Sequence, residues 1–183
     1  MLTVQKLLPR GQGLSQALFK RAAIVELDWD VRQKSRFDTH DSTGRSIGVF
    51  LPRGTVVRDG DVLLAEDGSL ILVKAAPQPV MVVRHCTEHG NPFDLLRAAY
   101  HLGNRHVALE LNPDHLKLEP DHVLADMLRQ MHLIVSEETV PFEPEGGAYA
   151  AGAHGHGHGH DHSHDHSHGH DHDHSHHHHH HGR

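Results

Sequence analysis

Two groups of histidines in this 183-residue chain are spaced for metal chemistry. The larger alternates: His154, His156, His158, His160, His162, His164, His166, His168, His170, His172 and His174, then an unbroken run of His176, His177, His178, His179, His180 and His181. The spacers are Gly, Asp and Ser, and no apolar side chain occurs from His154 to His181. A segment of this composition cannot bury a core, so disorder is expected. Neutral imidazole suits Ni(II), Cu(II) and Zn(II), and the interspersed aspartates add oxygen ligands. Flexible multidentate binding of this kind gives capacity rather than geometry. Protonation below the imidazole pKa of ~6.5 releases the metal. An appended purification tag would not leave eleven alternating histidines before the final six, nor Gly182-Arg183 after them, so the tail reads as native.

The smaller group centres on His106, within A-Y-H-L-G-N-R-H-V-A-L-E-L from Ala99 to Leu111. Apolar residues recur at helical spacing before Gly103 and alternate after Arg105. Gly103 and Asn104 tolerate a left-handed cap, so the helix is expected to stop there. His106 then opens a strand on the face opposite Val107, Leu109 and Leu111. Taken alone, a histidine at a strand start is more often a hydrogen-bonded structural residue than a ligand, and the same holds for His101, His115, His122 and His132. The run His85-Cys86-Thr87-Glu88-His89 brings Cys and His together but lacks the second half of a tetrahedral site. Cys86 therefore reads as a small, partly buried residue.

The elements that must position these residues are legible. Residues 1–75 read as a small all-β domain. The expected strands are Leu2 to Leu8, Ala23 to Trp29 extending towards Arg32, and Ile47 to Leu51. A hairpin turns at Glu66-Asp67-Gly68-Ser69 between Asp61–Ala65 and Leu70–Ala75. Short strands separated by turn residues suggest a sandwich or barrel. Asp28, Asp30, Asp38, His40 and Asp41 read as solvated loop charges, with Asp38 to Gly44 a loop. No catalytic constellation is visible, which points to a docking module. Pro77 and Pro79 mark a stiff connection that excludes regular pairing.

Residues 78–142 give the order βαββαβ. The strands are Val80–Arg84, His106–Leu111, His115–Glu119 and Leu133–Val140. One helix opens at Asn91-Pro92 and buries Phe93, Leu95, Leu96, Ala99 and Leu102. The other follows Pro120-Asp121 and carries Val123, Leu124, Met127, Leu128 and Met131 at helical spacing. This is a ferredoxin-like arrangement with one sheet face free for a second copy, His106 lying near it. The fold class is α+β: an all-β domain, a ferredoxin-like domain and a disordered His-rich tail over residues 150–183.

Composition narrows the function. The chain has 17 basic and 24 acidic residues, of which one base and four acids lie beyond Gly152, leaving the body at 16 and 20, or −4. No basic patch with interleaved aromatics is present, so nucleic acid is not an expected partner. A single cysteine excludes a disulfide framework and fits a reducing compartment. With neither a signal-peptide pattern nor an apolar run of membrane-spanning length, a cytoplasmic protein that does not enter the membrane is expected. The body lacks HExxH, GxSxG and a phosphate-binding Gly-x-x-x-x-Gly-Lys-Ser/Thr loop, which argues against an enzyme.

Three stretches together resemble one family. They are Tyr100-His101-Leu102-Gly103-Asn104-Arg105-His106-Val107, Asp121 to Leu128, and Pro141-Phe142-Glu143-Pro144-Glu145-Gly146-Gly147-Ala148-Tyr149. With the His-rich terminus, the chain resembles UreE, the urease accessory nickel metallochaperones. That resemblance implies a homodimer joined through the second domain, with His106 of each subunit meeting to bind one nickel. It implies that the tail gathers further ions and feeds that site. The implied recipient is the complex of urease apoprotein with its GTPase and other accessory proteins. His122 and His101 match family histidines, whereas the position two before His122, histidine in some members, is Pro120 here. The competing reading is a metal storage or detoxification protein acting through its tail.

Overall fold

The computed structural model describes residues 1–146. The tail histidines His154 to His181, and the end of the Pro141–Tyr149 stretch, lie outside the described residues. The N-terminal part is strand-rich, as expected. It contains β1 (Leu2–Leu8), α1 (Gln16–Phe19), β2 (Ala23–Leu27), α2 (Trp29–Arg32), β3 (Arg36–His40), β4 (Ser46–Phe50), β5 (Val62–Ala65) and β6 (Leu70–Ala75). The six strands form one sheet in the order β2-β6-β5-β1-β4-β3. Its two ends meet where the Ser42 N–H donates to the Ile24 carbonyl at 2.7 Å and the Ile24 N–H donates to the Ser42 hydroxyl at 3.0 Å. Val4, Val25, Ile47, Val49, Leu63, Ile71 and Val73 fill the interior. The expected hairpin forms: Gly68 takes a φ of 84°, accessible to glycine without strain, and the Asp67 carboxylate accepts from the Ser69 N–H at 2.8 Å.

Three readings of this part need correction. The second strand stops at Leu27, because the Asp28 carboxylate accepts from the Val31 N–H at 2.9 Å and caps α2. Asp38 and His40 lie in β3 rather than a loop, since Arg36 to His40 pair antiparallel with Phe50 to Ser46. Asp41 is also misread as solvated. It is 6 % exposed, and its carboxylate accepts from the Thr43 hydroxyl (2.7 Å), the Thr43 N–H (2.9 Å), the Arg45 N–H (3.1 Å) and Arg45 Nε (2.8 Å).

Burial alone would raise the Asp41 carboxyl, but hydrogen bonds from Thr43 and Arg45 outweigh it and hold the group well below the usual carboxylate range. A depressed folded-state value adds stability that is complete above the unfolded pKa of ~3.9 and disappears as pH falls through the folded value. Asp41→Asn should therefore lose about 1.5–3 kcal/mol at neutral pH. Its melting temperature should converge on the parent's as pH falls from 5 to about 2, below the unfolded carboxylate range. Parallel melting curves over that range would show that Asp41 carries no such linkage.

The C-terminal part contains β7 (Pro77–His85), α3 (Pro92–Gly103), β8 (Glu110–Leu111), β9 (Leu116–Leu118), α4 (His122–Gln130) and β10 (Leu133–Pro141). This is the expected βαββαβ order, with an antiparallel sheet ordered β10-β7-β9-β8. Leu95, Ala98 and Leu102 of α3, with Ala125 and Leu128 of α4, pack on Met81, Val83, Leu116, Leu118 and Leu133. Pro77 and Pro79 do not break the pairing. They oppose Pro141 and Thr139 within β7, while β9 reaches only Met81 to Val83. A strand with one neighbour at that point tolerates the missing proline N–H.

The opposite sheet face is covered, contrary to the expectation of a free one. Val80 and Val82 of β7 pack with Phe142 and with Trp29 of α2. Trp29 meets Phe142 edge-on at 6.3 Å between centroids, and the Arg32 and Arg58 guanidiniums lie 5.4 and 5.2 Å from its ring centre. Arg32 is fully buried. It donates to the Leu27 carbonyl (3.1 Å), the Phe142 carbonyl and the Glu143 carboxylate (2.6 Å).

Candidate metal site

His106 stands at the C-terminal end of α3, but not as the first residue of a strand. The helix runs through Gly103, and Asn104 is still right-handed, with φ −62° and ψ −19°. The left-handed position belongs to His106, with φ 57°. Its N–H donates to the Gly103 carbonyl at 2.9 Å, and the Val107 N–H reaches back to Leu102 at 3.2 Å. Val107 and Leu102 share the apolar cluster beneath the helices. This double closure normally uses glycine at the left-handed position. A β-carbon there costs about 1–2 kcal/mol, so the imidazole is displayed on rigid backbone at some expense in stability. His106 is exposed. The chain that follows joins no strand until Glu110, which corrects the expected strand from His106 to Leu111.

His101 is exposed on α3, its ring 5.4 Å from that of Tyr100. His122 is the exposed first residue of α4, beside Asp121, whose carboxylate accepts from the Val123 (2.8 Å) and Leu124 (2.9 Å) N–H groups. Among the described residues no three His, Cys, Asp or Glu side chains converge to hold an ion. His101, His106 and His122 of one chain therefore do not form a shared site. His115 pairs with Asp114 at 2.8 Å. Cys86 is partly buried, as read, with Sγ 3.8 Å from His89 Nδ1. Hydrogen bonding from His89 pulls its thiol below the ordinary value.

The surface around His101 departs from the sequence reading. Phe93 and Leu96, expected in the core, are 59 % and 63 % exposed, and Tyr100 is 66 % exposed. At i, i+3 and i+7 they form one stripe along α3, lining a shallow groove with Ala99 and His101. Val123 on α4 is likewise 59 % exposed. These helices are apolar on two sides, and only one side meets the sheet.

Comparison with known sequences bears on what this surface serves. Residues 4–76 match the UreE urease accessory protein N-terminal domain, and residues 78–182 match the C-terminal domain of the same family. The chain belongs to the UreE family. The urease accessory protein UreE of Paracidovorax citrulli is 75 % identical over 154 residues, covering 84 % of this chain and 73 % of that one. Its counterpart in Methylibium petroleiphilum is 77 % identical over 155 residues, covering 84 % and 71 %. That of Burkholderia ambifaria is 48 % identical over 152 residues, covering 83 % and 73 %. In this chain, sequence reasoning misses two features: the exposed stripe on α3 and the polar join through Glu143. The Glu143 carboxylate accepts from Arg32 (2.6 Å), Arg58 (2.8 Å) and the Asp59 N–H (3.1 Å). The stripe was hidden because core and interface positions on a helix share one periodicity. No helix of the described residues is long and apolar enough to cross a membrane.

Proposed function

We propose that this chain is a cytoplasmic carrier, not a catalyst, that collects Ni(II) and donates it to urease apoprotein during maturation. The observation that carries this reading is an exposed imidazole, His106, at the closed end of a helix that also bears an unpartnered apolar stripe. One imidazole per chain holds a divalent ion poorly. A second copy seated on the Phe93–Leu96–Tyr100 stripe would bury that surface and supply a second His106, giving one ion between two chains with coordination left open for handover. His101 and His122 are then auxiliary ligands at the margins. The tail histidines His154 to His181 collect further ions and refill the shared site. Cu(II) binds such nitrogen sites at least as tightly as Ni(II), and Zn(II) competes, so selectivity comes from metal supply and from partners. Those partners are the urease apoprotein and its accessory proteins, including the GTPase.

The tail alone supports a second reading, metal storage, because 17 histidines in 28 residues give capacity without a body site. Calorimetric titration of residues 1–150 with Ni(II) separates the two. Delivery predicts one ion per two chains; storage predicts no specific binding once the tail is removed.

A further inference from the structure

After β10 the chain does not leave the sheet at the strand where it ends. Pro141 closes β10 at one edge, its carbonyl accepting from Lys117 Nζ of β9 at 3.2 Å. Phe142 packs beneath Val80 and Val82 of β7. The Glu143 N–H donates to the Glu110 carboxylate of β8 at 2.7 Å, and the Glu145 N–H donates to the Leu109 carbonyl at 2.7 Å. The segment thus crosses from β10 to β8, the far edge of a sheet ordered β10-β7-β9-β8, a path of about 14 Å at ~4.8 Å per strand. Leu109 is three residues from His106, at most about 11 Å along the chain.

We infer that Pro141–Gly146 is a strap that delivers the root of the His-rich segment to the edge carrying His106, with Glu143 as its positioning residue. Glu143 is suited to this because it faces both ways. Its carboxylate is held by Arg32, Arg58 and the Asp59 N–H of the N-terminal part, while its own N–H is held by Glu110. Arg58 also donates to the Pro144 carbonyl, so two successive residues of the strap are fixed from the same side. With the strap in place, eight residues separate Glu145 from His154; without it, twelve residues separate Pro141 from His154 and start from the wrong edge. Shorter tethers of matched span raise the effective concentration of the tethered group. The consequence for metal transfer rests on the proposed role of His106; the placement of the root does not.

The test uses the full chain without metal, carrying a nitroxide at Ala148→Cys in a Cys86→Ser background. In the parent, the amide signals of Val107 to Leu111 should lose most of their intensity, and those of Ile134 to Ser136 on β10 should lose less. Glu143→Ala should abolish that contrast. Because this variant leaves a buried guanidinium short of its carboxylate, Glu145→Pro is the second variant. It removes the N–H that reaches Leu109, together with the Glu145 side chain, and leaves Arg32 and its partners intact. Equal broadening of both edges in the parent, or a contrast that persists in both variants, would overturn the strap. Nickel is then added to the same proteins. A several-fold slower arrival of the ion at His106 in the variants that lose the contrast supports the positioning role, and an unchanged rate in them overturns it. If no ion reaches His106 in any of them, the metal-site reading fails, and the nitroxide contrast alone decides the strap.

Discussion

Arg32→Ala should lower the stability of this protein by up to about 3–5 kcal/mol, the cost of breaking a fully buried ion pair, here with Arg32 fully buried and Glu143 part-buried. That is a large fraction of the ~5–15 kcal/mol available to a folded chain. Three losses combine. The Leu27 and Phe142 carbonyls lose a charged donor, and the Glu143 carboxylate keeps only Arg58 and the Asp59 N–H. The Trp29 ring loses one of the two guanidiniums stacked on it. Arg32→Met restores much of the volume but none of the hydrogen bonds, and should recover only part of the deficit. Urea unfolding of the two variants measures both effects. A loss below about 1 kcal/mol for Arg32→Ala, the level of an exposed ion pair, would mean that this join contributes little.

His106→Gly should separate metal binding from folding. The residue occupies the left-handed position of a helix closure, where glycine removes the β-carbon penalty. The variant should therefore melt no lower than the parent, although glycine's greater freedom in the unfolded chain takes back part of the gain. Nickel binding by residues 1–150 should fall by more than the roughly 10–100-fold typical of losing an outer-shell partner, because an ion ligand itself is gone. Calorimetry and thermal melts on one preparation provide both readouts. Retained stoichiometric binding would remove His106 from the proposed site.

Where local signals dominate, the sequence was a good guide to the fold. Asn91-Pro92 does open α3: Asn91 accepts from the Phe93 N–H, and Asp94 accepts from the Asn91 N–H, each at 2.9 Å. Asp67-Gly68 does turn the hairpin, and the βαββαβ order follows from periodicity. The departures are non-local. The alternation records burial at Val107 and Leu109 but not at Leu111, which is 48 % exposed, and a strand also requires a ladder partner, which only Glu110 and Leu111 possess. Gly103 and Asn104 were plausible left-handed residues, yet the apolar anchor at Val107 sets the closure farther on, at His106. The Arg32–Glu143 contact joins residues 111 positions apart, and no pattern near either of them announces it. Most of the candidate site was thus legible as residue types, while its geometry depended on long-range packing.

The contact between Ser42 and Ile24 has a consequence for how such a chain avoids its own chemistry. Divalent ions shared between imidazole-rich segments can draw two molecules together and hold them there. Strands with open N–H and C=O groups would then be free to join edge to edge, a route to aggregation. At Ile24 the chain's own loop already occupies those groups. A neighbouring molecule brought close by shared metal finds no template there for strand addition, so a partner must be recognised at that point through side chains on the sheet's outer surface.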